Sequence, residues 1–160
     1  MTVFNVGVTR LFLSTVLAVF MGTLAMPSSA QGPDGVLHLY DGDSLVCSLP
    51  FINSTVNFRA DARCDNDRVK EFKLEGVPSA TFFAFYDDPD CTESGNFAFR
   101  FKTVKHYFTM PFAMNIGVAG KKEVGTVVTP GVLLISSTWR EQVDGKLSCV
   151  RIERSAVPAP

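Results

Sequence analysis

The chain has 160 residues, of which 46% are hydrophobic and 19% are charged, and this composition is typical of a folded protein rather than a disordered one. Its 15 basic and 16 acidic residues give a net charge of −1. This balance argues against a nucleic-acid partner, because binding to a phosphate backbone needs a clustered excess of basic residues. The length allows one domain, or two small ones.

The first 30 residues have the pattern of a secretory signal peptide. Arg10 precedes an apolar run over residues 11–26, Pro27 ends that run, and the small residues Ser28, Ser29 and Ala30 follow. The competing interpretation is a membrane anchor, but the run is shorter than the ~20 residues that a membrane-spanning helix needs. We therefore expect cleavage after Ala30, a secreted or periplasmic location, and no membrane span in the mature chain.

Strand signals follow in chain order, without helical periodicity. Short β-branched or aromatic runs occur at 36–40, 55–58, 81–86, 97–104, 124–128, 132–135 and 149–152, with turn residues such as Asp41-Gly42 between them. Within 97–104, three phenylalanines alternate with Ala98, Arg100 and Lys102, which predicts a strand with its phenylalanines buried and its cations in solvent. The pattern predicts an all-β sandwich or barrel.

Four cysteines lie in the predicted mature chain, at Cys47, Cys64, Cys91 and Cys149. An even number in an exported protein indicates two disulfides, and four cysteines allow three pairings. None of the spacings matches the short C-x₂₋₄-C of a zinc site, so zinc is not expected.

Two pairs of segments match each other in order along the chain. Residues 66–75 align with 144–153, and residues 36–41 align with 82–87. The separations differ, so the second unit would carry an insertion of about 30 residues, within about 103–140. The alternative is that β-rich sequences resemble one another by chance.

The first match carries a motif that is known from a protein family. Asn66-Asp67-Arg68-Val69 precedes Phe72-x-Leu74, and Asp144-Gly145-Lys146-Leu147-Ser148-Cys149 precedes Val150-x-Ile152. This arrangement resembles the βγ-crystallins, in which N/D-N/D-x-x-S/T-S precedes an apolar-x-apolar strand and two Greek-key motifs pack as one domain. The resemblance implies a Greek-key β-sandwich over residues 31–160, with motif one at about 36–77 and motif two at about 80–154.

Calcium is the ligand that this resemblance implies, with Asn66, Asp67, Asp144 and Ser148 as candidate ligands. Calcium takes six to eight oxygen ligands. Lys70 stands where the family places a hydroxyl, and Gly145 replaces a carboxylate, so we expect weak binding. The alternative is that these residues only form turns. No other cofactor is expected.

The repeat also suggests how the cysteines pair. Cys47 and Cys91 follow equivalent first strands, while Cys64 and Cys149 lie near or within equivalent later strands. We therefore expect Cys47–Cys64 and Cys91–Cys149, one disulfide in each motif. The rival is Cys47–Cys91 with Cys64–Cys149.

No catalytic constellation is predicted. The chain has no G-x-S-x-G, H-E-x-x-H, P-loop or G-x-G-x-x-G motif, and we interpret His38 and His106 as surface or half-buried strand histidines. Asp87, Asp88 and Asp90 could serve a small hydrolase, but Pro89 between them favours a solvated hairpin turn.

The segment from 106 to 120 is rich in aromatic residues and methionine. We expect a partner-binding surface there, formed by Tyr107, Phe108, Met110, Phe112 and Met114. An extra hairpin that completes the sheet edge is the alternative. Asn53-Ser54-Thr55 has the form of an N-glycosylation acceptor, which matters only in a eukaryotic secretory pathway.

These observations favour binding over catalysis. The leading hypothesis is a secreted, non-enzymatic interaction module, such as an effector, an inhibitor or an antimicrobial protein, with an extracellular protein or carbohydrate as its partner. The second hypothesis is a calcium-binding, crystallin-like structural or stress protein. The third is a small hydrolase that uses Asp87, Asp88 or Asp90.

Overall fold

The computed structural model describes residues 34–155, in which two β-sheets pack face to face. This confirms the predicted all-β sandwich. The predicted signal peptide and its cleavage site lie outside the described residues. Within the described range, no helix is long and apolar enough to cross a membrane.

The described residues contain strands β1 to β10 and one short helix, α1, and in chain order their bounds are β1 Val36–Asp41, β2 Ser44–Pro50, β3 Ser54–Asn57, β4 Glu71–Glu75, β5 Thr81–Tyr86, β6 Phe97–Thr103, β7 Met114–Asn115, α1 Ile116–Gly120, β8 Val127–Thr129, β9 Val132–Trp139 and β10 Cys149–Arg154. Strands were predicted from sequence at β1, β3, β5, β6, β8, β9 and β10, and β4 contains the apolar-x-apolar strand that the family resemblance implied. The bounds differ most at two of them: β8 overlaps only the end of the predicted 124–128 run, and β9 continues four residues beyond the predicted 132–135 run. The helix was not predicted, because its five residues are too few to show a helical period.

The sheets have the strand orders β2-β1-β4-β7 and β3-β10-β5-β6-β9-β8. Each half of the chain contributes one strand to the sheet of the other half. β3 pairs with β10, and β7 pairs with β4. The two sheets are therefore interlocked by an exchange of strands.

The two sequence matches fall on equivalent strand pairs. Val36 of β1 lies opposite Glu75 of β4, and Phe82 of β5 lies opposite Glu153 of β10. The sequence matches align Val36 with Phe82 and Glu75 with Glu153, so the pairing register is the same in both halves. The internal similarity thus extends from sequence to strand pairing.

Phenylalanines from both sheets form the centre of the core. Phe72 of β4 contacts Phe83, Phe85 and Phe101 of the six-stranded sheet, with ring centroids 5.8, 5.1 and 5.8 Å away. Such tilted ring pairs add stability beyond the area that they bury. The core therefore fixes how the two sheets face each other.

Strand β6 confirms the predicted alternation. Phe97, Phe99 and Phe101 are fully buried, while Arg100 and Lys102 are partly exposed on the outer face. The Arg100 guanidinium lies 4.4 Å from the centre of the Phe82 ring. The cations and the three buried phenylalanines thus lie on opposite faces of the sheet.

Two disulfides cross-link the sandwich. Cys47 is joined to Cys64, and Cys91 is joined to Cys149, across sequence separations of 17 and 58 residues. The expected pairing is confirmed, and the rival pairing is wrong. Cys149 belongs to a small outer cluster with Tyr86, Ala84 and Ala98, so the second disulfide anchors the β5–β6 connection on the outer face of the sheet.

The predicted insertion region holds β7, α1, β8 and β9. The β8–β9 hairpin, C-terminal to the 106–120 segment, forms the far edge of the six-stranded sheet beyond β6. The 106–120 segment itself forms no hairpin, because it contributes only the short edge strand β7 and helix α1. Helix α1 packs on β6 and β9: Ser137 of β9 donates a hydrogen bond to the Gly120 carbonyl oxygen, and the Phe99 ring lies directly against Gly120.

Candidate functional site

Part of the predicted partner surface is buried. Phe108 and Met110 are 5% and 1% exposed, so the expectation that they contact a partner is wrong. The cause is backbone pairing along the end of β4: Phe108 and Val77 exchange two hydrogen bonds of 3.0 Å, and the Met110 amide donates to the Leu74 carbonyl oxygen. This pairing turns the side chains of Phe108 and Met110 into the core.

The other predicted surface residues have different environments. Phe112 is 80% exposed and Tyr107 is 48% exposed, whereas Met114 of β7 is partly buried and packs against the core. The hydrogen bond from the Met110 amide to the Leu74 carbonyl oxygen and the β7–β4 pairing hold the chain on both sides of Phe112. Phe112 is therefore an exposed ring on a segment that is anchored at both ends.

Phe112 lines an open groove of about 410 Å³ on the outer side of the four-stranded sheet. The lining residues come from the β1–β2 hairpin, from β4 and from the segment before β7, and they are Tyr40, Gly42, Asp43, Glu71, Lys73, Pro111, Phe112 and Ala113. Strand alternation explains why β4 contributes here: Phe72 and Leu74 are buried, so Glu71 and Lys73 face outward. The groove thus combines two aromatic rings with charged groups.

Ion pairs fix the charges next to this groove. Lys70 Nζ lies 2.7 Å from Asp41 Oδ1 at the end of β1, and Arg68 Nε lies 3.7 Å from Asp41 Oδ2. The hydrogen bond from Lys70 lowers the pKa of Asp41 below its usual value. Asp43, Glu71 and Lys73 remain available to a ligand in the groove itself.

The structure brings the two predicted calcium motifs together. Ser148 Oγ donates to Asp67 Oδ1 over 3.3 Å, and the Asp67 amide donates to the Leu147 carbonyl oxygen. Asp144 instead accepts a hydrogen bond from Asn115 and lines a second groove of about 280 Å³ beside α1. Residues from both motifs therefore meet at Asp67 and Ser148.

One buried oxygen in this cluster has no partner. Within the described part of the chain, Asn66 Oδ1 is buried and accepts no hydrogen bond. Such an oxygen carries a desolvation cost unless a ligand satisfies it. Across residues 34–155, however, no group of three or more His, Cys, Asp or Glu side chains is placed to hold a metal ion. A cation here would therefore have at most two carboxylate ligands, Asp67 among them, and would take its other ligands from hydroxyl, amide and carbonyl oxygens.

The acidic residues that were considered for a hydrolase act within a turn, as the plain interpretation expects. Asp88 accepts hydrogen bonds from the Thr92 and Ser94 hydroxyl groups and from the Asp90 amide, and these bonds lower its pKa. A general acid needs a raised pKa. Asp87 accepts a hydrogen bond from the Asn96 amide. These carboxylates organise the β5–β6 connection.

His38 takes part in a hydrogen-bonded chain that sequence reasoning missed. Its Nδ1 lies 2.8 Å from Ser48 Oγ, and its Nε2 lies 3.0 Å from Glu75 Oε2. The chain links β2, β1 and β4 on the sheet face, and none of its members lines the 410 Å³ or the 280 Å³ groove. His106 lies in a turn next to Tyr107 rather than in a strand, which corrects its predicted placement.

Comparison with known proteins identifies no relative of this chain. No family model, no curated protein and no solved structure matches the chain. The likeness to βγ-crystallins stays a prediction from the sequence motifs.

Proposed function

We propose that the protein is a secreted, non-enzymatic interaction module, of the kind used as an effector, an inhibitor or an antimicrobial protein. The groove around Phe112 is its binding site in this proposal. The observation that carries the proposal is the 80% exposure of the Phe112 ring beside Tyr40, on a segment held at both ends by the sheet.

The exposed ring supports binding because a phenylalanine on the surface gains free energy when a partner covers it. Complete burial of such a side chain is worth about 1.5–3 kcal/mol. Large aromatic side chains have few rotamers, so they lose little conformational entropy on binding. They are therefore common anchors in interfaces. Phe112 is thus the residue whose removal should weaken binding most.

The charged residues of the groove indicate which class of partner can bind there. Asp43 and Glu71 offer hydrogen-bond acceptors, and Lys73 offers donors, around the aromatic surface of Phe112. A polyhydroxylated ligand or a polar peptide can use both kinds of group while it covers the ring. An extracellular carbohydrate or protein therefore fits the groove.

A matched pair of variants tests this proposal. Phe112→Ala should weaken binding to immobilised glycans or extracellular proteins at least tenfold. Val127→Ala, which removes a 53% exposed apolar side chain from β8, should leave the binding unchanged. Equal binding by the wild type and by Phe112→Ala would show that the groove around Phe112 is not the binding site.

Secretion is tested separately by the mass of the exported protein. Cleavage after Ala30 gives a mature chain that begins at Gln31. An exported protein that retains residues 1–30 would contradict the signal-peptide prediction.

A second candidate function is weak calcium binding as a crystallin-like structural or stress protein. The observation that favours it is the unpartnered Asn66 Oδ1 beside the contact between Asp67 and Ser148. The effect of calcium on the melting temperatures of the wild type and of Lys70→Ser tests this candidate.

A further inference from the structure

Asn53 lies at an exposed turn directly before β3. Asn53-Ser54-Thr55 is the only N-x-S/T sequence in the 160 residues, because each of the other asparagines lacks a hydroxyl residue two positions later. Asn53 and Thr55 are both exposed. The acceptor amide and its hydroxyl partner are thus accessible together on the folded surface.

The two ends of the Asn53 amide have different surroundings. Its Oδ1 accepts a hydrogen bond from the Arg154 amide, next to the last pair of the β3–β10 ladder, Ser54 with Ile152. Among residues 34–155, its Nδ2 makes no hydrogen bond. The nitrogen is therefore available for modification, while the oxygen orients the side chain.

The surroundings of Asn53 leave room for a large group. β3 is the terminal strand of its sheet, so its outer edge has no neighbouring strand. Ile52, next to Asn53, is 40% exposed. A glycan at this point would extend from a sheet edge and would displace no packed element. It would also shield an unpaired strand edge, which is a common site of unwanted association.

We propose that Asn53 accepts an N-linked oligosaccharide when the chain passes through a eukaryotic secretory pathway. The donor is an oligosaccharide carried on a lipid diphosphate. The Asn53 nitrogen forms a bond to the anomeric carbon and loses one proton, while the bond from that carbon to the diphosphate oxygen breaks. The amide oxygen is retained, so the hydrogen bond from the Arg154 amide is compatible with the modified side chain.

This proposal rests on the secretion part of the proposed function and is independent of the Phe112 groove. The test uses the full 160-residue chain, expressed with its own N-terminus in eukaryotic cells, with medium and cell fractions analysed separately. The secreted protein should be heavier than its polypeptide mass by a whole number of sugar units. Treatment with the amidase that releases N-linked glycans should remove this excess and leave aspartate at position 53.

Three variants locate the modification. Thr55→Ala should abolish the added mass while it keeps the Asn53 amide and its bond to Arg154. Asn53→Gln should abolish it as well, whereas Ser54→Ala keeps the acceptor sequence and should be modified like the wild type. A secreted wild-type protein of unmodified mass would overturn the proposal although secretion holds. A protein found only in cells would overturn secretion and the proposal with it.

Discussion

Lys70 Nζ lies 2.7 Å from Asp41 Oδ1, so the ammonium group that interrupts the first calcium-like motif is paired with a carboxylate from the end of β1. A paired ammonium repels a cation less than a free one does. The two motifs meet close by, through Asp67 and Ser148. This relationship determines how the calcium hypothesis can be tested.

We expect calcium to raise the melting temperature only slightly. A site with a Kd of about 1 mM, at about 10 mM calcium, would add roughly 1.4 kcal/mol, or several degrees for a domain of this size. Lys70 and Gly145 argue for a smaller shift.

Lys70→Ser should increase the shift, because it removes the ammonium group and leaves Asp41 negative. Differential scanning calorimetry with magnesium as the control measures this. A wild-type shift above ~8 °C would show that the site binds calcium more tightly than Lys70 and Gly145 should permit.

The carboxyl group of Asp61 should titrate at unusually low pH. Arg63 donates hydrogen bonds to Asp61 from its side chain and its backbone, which lower the Asp61 pKa to about 2. A lowered folded-state pKa gives stability that is complete above the unfolded pKa near 3.8 and is lost as pH falls towards 2. NMR titration of the Asp61 carboxyl carbon should show a midpoint near 2 in the wild type and a higher midpoint in Arg63→Gln.

The same pair of proteins gives a stability test. The urea midpoint of the wild type should exceed that of Arg63→Gln above about pH 5, and the difference should shrink as pH falls towards 2. A difference that stays constant with pH would mean that the pair does not contribute through ionisation.

The two disulfides should contribute unequally. Replacing Cys91 and Cys149 with Ala removes a 58-residue loop constraint, and the chain-entropy model gives roughly 4 kcal/mol for it. Replacing Cys47 and Cys64 removes a 17-residue constraint, worth roughly 3 kcal/mol. Urea unfolding of the two double variants measures both costs. If the shorter loop proved more costly, local packing rather than chain entropy would dominate.

Gly120 should tolerate no side chain. A methyl group there would overlap the Phe99 ring, so Gly120→Ala should destabilise the fold by about 1–3 kcal/mol. In a Phe99→Ala background the same change should cost much less, because the ring is gone. Chemical unfolding of the single and double variants gives the coupling directly. Equal costs in both backgrounds would contradict the close contact of α1 with β6.

The histidines should be dispensable for binding. His38→Ala removes the hydrogen bonds to Ser48 and Glu75 and should cost about 1 kcal/mol of stability, and His106→Ala should cost less. Neither variant should weaken partner binding, with Phe112→Ala as the positive control. A fluorophosphonate reagent for activated serines should leave Ser48 unlabelled. Labelling of Ser48 that depends on His38 would contradict the non-enzymatic proposal and would indicate a serine hydrolase built on Ser48 and His38, rather than one that uses Asp87, Asp88 or Asp90.

Sequence predicted the parts of the fold that have strong periodicity. Phe97, Phe99 and Phe101 alternate strictly, and the strand that they form is confirmed. β2 was missed because Val46 interrupts the alternation of Leu45, Cys47 and Leu49 with Ser44 and Ser48, so the apolar residues read as a short run rather than as a strand face. β7 has two residues, too few for any sequence pattern.

The candidate site was harder to predict, because burial in an irregular segment depends on tertiary pairing. Sequence reasoning selected Phe112 and Phe108 together on their aromatic character. Only the backbone pairing of Phe108 with Val77 decides that one ring is core and the other is surface. Asp41 and Lys70 likewise come together through folding, and neither position alone indicated an ion pair.

The exchange of β3 and β7 between the sheets bears on how such a domain could arise. A chain that ended after β4 would have β3 without β10, and the edge of β4 without β7. Two copies of such a half could complete each other by contributing one strand each, as a symmetric dimer. Joining the copies in one chain would replace a concentration-dependent association with an intramolecular one. β1 pairs with β4 in the same register as β5 pairs with β10. A dimer whose two copies were fused and then diverged would retain this shared register.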